Sequence, residues 1–264
     1  TEIYTLSLHD ALPISAVAAA LQQLGLPQAN AQQLARDFGR SLPVMRRHLA
    51  ISGAARRPLW SEANQARFIT PLMLLGSISE NTAGDKQIAE LVSGSSFTTY
   101  AEQLNALKSI DDSPIVEIGE VWTLKSPLDC WFMVAGQLTA DNLTAFATAS
   151  KRVLEEVHPK YELSPDERWM AAFHSKVRQY SPHLRMGLAE SLVRMSVFGD
   201  KAPDALSTSQ VVEEVVQNIL SSATSWQGWA SIQDITPLLA EAAPATFLET
   251  VEQVIATHPE IVTE

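Results

Sequence analysis

Few residues of this chain are spaced for chemistry. The six histidines, His9, His48, His158, His174, His183 and His258, show no metal-ligand spacing. His174 and His183 stand nine apart, which does not place them together on a helix face. His158 and His258 each precede a proline and suit helix ends. The acidic pairs Asp111-Asp112, Glu155-Glu156 and Glu213-Glu214 are adjacent in sequence. Adjacent residues on a helix point apart, so they read as solvated faces rather than acid–base pairs. There is no Gly-x-x-x-x-Gly-Lys-Ser/Thr loop to cradle phosphates and no Gly-x-Ser-x-Gly elbow. The single cysteine, Cys130, excludes an intrachain disulfide and a Cys-rich zinc module. Beside Trp131-Phe132-Met133 it reads as a small buried hydrophobe. Trp122, Trp131, Trp169, Trp226 and Trp229 read as core anchors rather than a stacking platform. No nucleophile–base pair or metal set assembles from these residues. No catalytic residue and no metal ligand is therefore assigned, and no enzyme activity is expected of this stretch itself.

The informative segment is Leu34-Ala35-Arg36-Asp37-Phe38-Gly39-Arg40-Ser41-Leu42-Pro43-Val44-Met45-Arg46-Arg47-His48-Leu49-Ala50. One reading is a helix-turn-helix. Ala35, Gly39, Ser41, Met45 and Leu49 supply the small residue, turn glycine, cap and two core positions. Arg46 and Arg47 would then approach phosphates or base edges of DNA. An ordinary helical turn is the plain alternative. Charge favours a negative partner for this region. Residues 16–60 carry six arginines against Asp37, while the whole chain is at −11. DNA, a nucleotide phosphate or the acidic remainder of the chain would each fit.

The elements that must position these groups are mostly helical. Helices are expected over residues 16–24, 30–38 and 41–51, punctuated by Gly25, Pro27 and Gly39, with Asn30 and Ser41 as caps. Further helices are expected over 61–80, 85–92 and 98–107. At Ile115-Val116-Glu117-Ile118-Gly119-Glu120-Val121-Trp122-Thr123-Leu124 the period changes to two around a Gly119-Glu120 turn, which predicts a β-hairpin. Helices followed by a hairpin form the winged-helix pattern. Beyond Pro127 helices are expected over 128–137, 140–157, 165–180, 182–198, 208–223, 231–242 and 244–257. Ser164-Pro165 and Ser181-Pro182 each offer a cap followed by a first-turn proline. The expected fold is mainly α: a helical, helix-turn-helix-like segment (16–57), which the resemblance described below makes a lid, a winged helix (58–127) and a helical bundle or short α-solenoid (128–264). No apolar run reaches the roughly 20 residues that span a bilayer, so no membrane partner is expected. The composition, 46% hydrophobic with one cysteine, suggests a cytoplasmic protein.

Two resemblances add to this. Residues 1–15, Thr1-Glu2-Ile3-Tyr4-Thr5-Leu6-Ser7-Leu8-His9-Asp10-Ala11-Leu12-Pro13-Ile14-Ser15, resemble a translated sequencing adapter. They are set aside as non-native, and the natural chain is expected to extend upstream. The partial alternation of Ile3 to Leu8 leaves a genuine strand as the alternative. The second resemblance is to the lid that follows the nucleotide-binding domain of STAND (NLR-like) NTPases. Leu34-Ala35 and Ser41-Leu42-Pro43-Val44 match its Leu-Ala…Gly-x-Leu-Pro-Leu-Ala pattern, with Ser41 in place of the usual glycine. The order of lid, winged helix and helical array is also that of the family. Asp112-Ser113-Pro114-Ile115, Ile118-Gly119-Glu120-Val121-Trp122, Ser126-Pro127-Leu128-Asp129-Cys130-Trp131 and Glu162-Leu163-Ser164-Pro165-Asp166-Glu167-Arg168-Trp169-Met170-Ala171-Ala172 are similar to stretches of large bacterial STAND ATPases of antiviral defence.

The resemblance implies that Pro43 sits against a nucleotide base, with Arg40 or Arg46 facing its phosphates. It implies ATP or ADP with Mg for the full-length parent and no cofactor for this fragment. It also implies an upstream NTPase domain, a phage or other protein ligand at the helical arm, and a homo-oligomer on activation. The family's Met-His-Asp triplet at the end of the winged helix is missing from this sequence. The alternatives are a winged-helix DNA-binding regulator using Arg46 and Arg47, and a plain helical-repeat scaffold.

Overall fold

The computed structural model describes residues 14–37 and 42–262. Two Ala-rich helices, α1 (Ile14–Gln23) and α2 (Gln28–Asp37), form an antiparallel hairpin. Val17, Ala18 and Leu21 of α1 pack on Ala31 and Ala35 of α2, with Leu26, Leu34 and Met45 at the margin. The second helix starts at Gln28, so Asn30 lies inside its first turn and is not its cap. The expected stop at Gly39 and cap at Ser41 lie outside the described residues. Helix α3 (Leu42–Leu49) and the short α4 (Gly53–Arg56) follow.

Next comes a small α/β unit. Helix α5 (Ala63–Leu75) ends at Gly76, whose φ of +76° only glycine adopts cheaply. The last residues of the helix expected over 61–80 instead form strand β1 (Ser77–Ser79). Helices α6 (Ala83–Ser93) and α7 (Phe97–Lys108) come before the hairpin β2 (Ile115–Ile118) and β3 (Val121–Leu124). The hairpin turns at Gly119-Glu120 as the period predicts, with Ile118 opposite Val121 and Ile115 opposite Leu124. The other edge of β3 pairs with β1, giving an antiparallel sheet ordered β1-β3-β2. The missed strand has a physical reason: β3 needs a partner on that edge to satisfy its backbone groups.

The remainder is helical: α8 (Pro127–Val134), α9 (Ala140–Leu154), α10 (Pro182–Val197), α11 (Thr208–Ser222), α12 (Trp226–Ile232), α13 (Thr236–Ala242) and α14 (Pro244–Thr257). Ser126, Thr139 and Ser181 cap α8, α9 and α10 by accepting from backbone N–H groups. The helix expected over 165–180 does not form. Pro165–Met170 is a 3-10 helix, and the chain then runs through turns to Tyr180. Tertiary anchors override local propensity there. Arg168 stacks on Tyr161 and Trp226. Arg178 donates to the carbonyls of Glu156 and Ser231 at 3.1 and 2.6 Å. As a result Trp169 is 77% exposed and is not a core anchor, whereas Trp122 and Trp131 are buried as expected. Glu155 and Glu156 are also only partly exposed rather than fully solvated.

One apolar core runs from Trp60 to Ala243, through α5 to α7, the sheet, and α8 to α13. Residues on both sides of position 127 therefore share it. A close crossing joins the α/β unit to α10. A Cβ on Gly76 would lie 2.5 Å from the Cα of Gly187, so only paired glycines allow it. Asp85, fully buried, ties the same region together. It accepts from Ser79 N at 2.9 Å, Ser181 N at 2.8 Å and Ser181 Oγ at 2.6 Å.

Candidate functional site at the third helix

The basic segment singled out by the sequence meets the acidic body at α3. This helix has two jobs. Met45 packs against the α1–α2 cluster, while Val44 and Arg47 are buried. α3 itself packs on α8. It thus connects two apolar clusters that are otherwise distinct.

Arg47 enters the body as an ion-pair clasp. Its Nε donates to both carboxylate oxygens of Asp129, at 2.8 and 2.6 Å. Its Nη1 donates to Asp112 Oδ2 at 2.8 Å. The guanidinium lies over Trp60, 5.1 Å from the ring centroid. Trp60 Nε1 in turn donates to the backbone carbonyl of Asp112 at 2.8 Å. Asp112 has φ of +54°, a left-handed turn that aspartate tolerates, and this turn presents both its carbonyl and its carboxylate. Asp129 stands in the first turn of α8, where the helix N-terminus also favours negative charge.

The electrostatics follow from burial. The side chains of Arg47 and Asp129 are 10% and 7% exposed, that of Asp112 38%. Burial pulls the Arg47 guanidinium down, but hydrogen bonds and charge from Asp112 and Asp129 together hold it above its ordinary value. Burial pushes the Asp129 carboxyl up, against the pull of Arg47 and with a contribution from Asp112. The clasp is therefore a cation held firmly by two carboxylates, one of which is sensitive to the loss of its partner.

The outward face of α3 is different. Pro43, Met45, Arg46 and Leu49 line an open, mainly apolar concavity of about 440 Å3. Pro43, Arg46 and Leu49 are exposed. So the structure places Pro43 and Arg46 together on this exposed surface, while Arg47, the next residue along, is buried in the clasp. Arg40 lies outside the described residues. Pairing with two carboxylates removes Arg47 from the surface where a phosphate or base edge would be read. Its partners could not be read from spacing, since Asp129 and Asp112 lie 82 and 65 residues away.

Among the described residues no group of three or more His, Cys, Asp or Glu side chains is placed to hold a metal ion. No described helix is long and apolar enough to cross a membrane. No protein-family model, no curated protein and no solved structure matches the chain.

Proposed function

We propose that this chain is the regulatory and sensing part of a STAND-type NTPase, in which residues 16–57, α1 to α4, form a nucleotide lid over an upstream ATPase core. The observation that carries this reading is the two-sided use of α3. One face offers an open, mainly apolar surface concavity lined by Pro43, Met45, Arg46 and Leu49, where a base would lie against Pro43 and a phosphate near Arg46. The same helix is clasped to the body through Arg47. A ligand on the outer side would bear on the clasp through one short helix, which is what a nucleotide-gated switch requires.

In this reading the order α5-β1-α6-α7-β2-β3 is a winged helix. Residues 128–264, α8 to α14, are a helical bundle or short solenoid arm that recognises a phage or other protein ligand. The parent would hold ATP or ADP with Mg and form a homo-oligomer when activated. The DNA-binding alternative is less well supported. Arg47 is paired, and on α7, the helix that would enter a groove, Lys108 is bound to Glu117.

The test is the full-length protein, with its reading frame extended upstream of Ala16. The expected result is an upstream phosphate-binding loop, ADP retained on purification, and weaker retention in Pro43→Ala and Arg46→Ala. A full-length protein that binds no nucleotide and does not assemble with ATP refutes the proposal.

A further inference from the structure

Residues 202–264 contain nine aspartates and glutamates and neither lysine nor arginine. Helices α11, α13 and α14 pack on one another within this stretch, which brings Glu213, Glu214, Glu241, Glu249 and Glu252 to one part of the fold. Glu213 and Glu214 on α11 and Glu249 and Glu252 on α14 are exposed. On α14, Leu248 is 62% and Ile255 41% exposed. They stand seven residues apart, on one helix face, with Glu252 between them. An aliphatic stripe bordered by carboxylates fits an apolar segment that carries positive charge.

The chain carries such a segment itself. Leu49, Ile51 and Leu59 are 50%, 99% and 72% exposed. Arg56 and Arg57, between them, are exposed too. Arg56 Nε donates to the carbonyl of Ala50, which folds the segment into a compact turn. We propose that residues 49–59 of one copy dock on the α14 face of a second copy. Leu49, Ile51 and Leu59 cover Leu248 and Ile255, and Arg56 and Arg57 meet Glu249 and Glu252. The two faces differ, so the contact is head-to-tail and can propagate to a third copy or close into a ring. Leu49 also lines the α3 concavity, so this contact and a ligand seated there compete for it.

The test is sedimentation equilibrium of the whole chain over roughly 10 to 200 μM, the range of weak charge-assisted contacts. It is run at about 50 mM and about 500 mM salt, where screening differs strongly. The mass is expected to rise above the 28.8 kDa monomer with concentration at low salt and to return to it at high salt. Arg56→Gln/Arg57→Gln and Glu249→Gln/Glu252→Gln are each expected to be monomeric with unchanged circular dichroism. An equimolar mixture of the two is expected to form a 1:1 dimer that grows no further, because each variant keeps the face the other lacks. A monomer at every concentration in low salt overturns the proposal and leaves the α14 face to a foreign basic partner. Association that survives both variants, or a mixture that stays monomeric, overturns it as well.

Discussion

Replacing Arg47 with methionine keeps the length and apolar stem of the side chain and removes the charge. Asp129 would then be left 7% exposed without its cation, and Asp112, at 38%, would turn to water. Breaking a buried pair from one side costs about 3–5 kcal/mol when the remaining charge cannot escape. Here it can, by undocking α3 or by taking up a proton, since burial already raises the Asp129 carboxyl. The expected cost is therefore about 3 kcal/mol, felt as undocking of α3 rather than unfolding of the core. That corresponds to a roughly 100-fold faster amide exchange in the third helix. Hydrogen exchange with mass spectrometry reads this directly, with peptides from α9 and α10 as internal controls. Arg47→Met/Asp129→Asn should recover most of the loss, because removing both charges leaves nothing unpaired. If exchange in α3 of Arg47→Met stays within about twofold of the parent, the clasp does not hold the helix and the reasoning is wrong.

Three further outcomes follow from other parts of the structure. A methyl group on Gly187 would meet Ser77 N at 2.9 Å and Gly76 Cα at 3.0 Å, both backbone atoms that cannot step aside. Gly187→Ala should lower stability by about 3 kcal/mol and Tm by roughly 5–10 °C; an unchanged melting curve would show that the crossing has slack. Burial, then Arg178 and Lys160, depress the His158 imidazole from 6.5 to about 4, and its Nδ1 accepts from Lys160 N. The unfolded chain therefore takes up this proton first, and stability is lost as pH falls from 6.5 through about 4. Allowing for partial exposure, the loss is about 1–2 kcal/mol relative to His158→Asn in denaturant titrations; parallel pH profiles would contradict it. Burial and the nearby Asp129 push the Cys130 thiol up, and the residue is fully buried. Cys130 should react with a thiol reagent only in denaturant; rapid stoichiometric labelling of the native chain would count against the packing of α8.

What was legible in the sequence was mostly local. The hairpin could be read because period two and Gly119 coincide, and the turn needs the φ of +62° that Gly119 adopts. Ser181-Pro182 correctly announced a helix of 16 residues. Ser164-Pro165 has the same signature but opens only a 3-10 helix, because Arg168 and Arg178 reach to aromatic rings and carbonyls of other elements. Strand β1 is three residues, Ser77-Ile78-Ser79, too short to show alternation. On α3, Pro43 and Arg46, picked out from one short segment, lie together on an exposed concavity. The buried role of Arg47 could not be read from that segment, since adjacent arginines look alike until the helix has an inside. Its partners come from the turn at Asp112 and the first turn of α8, and no spacing rule connects those positions to α3. Trp169 shows the same limit from the other side, as a large aromatic that tertiary anchoring leaves in solvent.

In the function proposed above, α3 passes a nucleotide signal from its outer face to the Arg47 clasp. The most direct measurement is hydrogen exchange of the third helix in the full-length protein, with and without ADP and Mg. Strong protection of residues 42–49 is expected when ADP is bound, and loss of that protection in Pro43→Ala. Exchange in α3 that is the same with and without nucleotide, in a protein shown to bind it, would show that the helix carries no nucleotide signal.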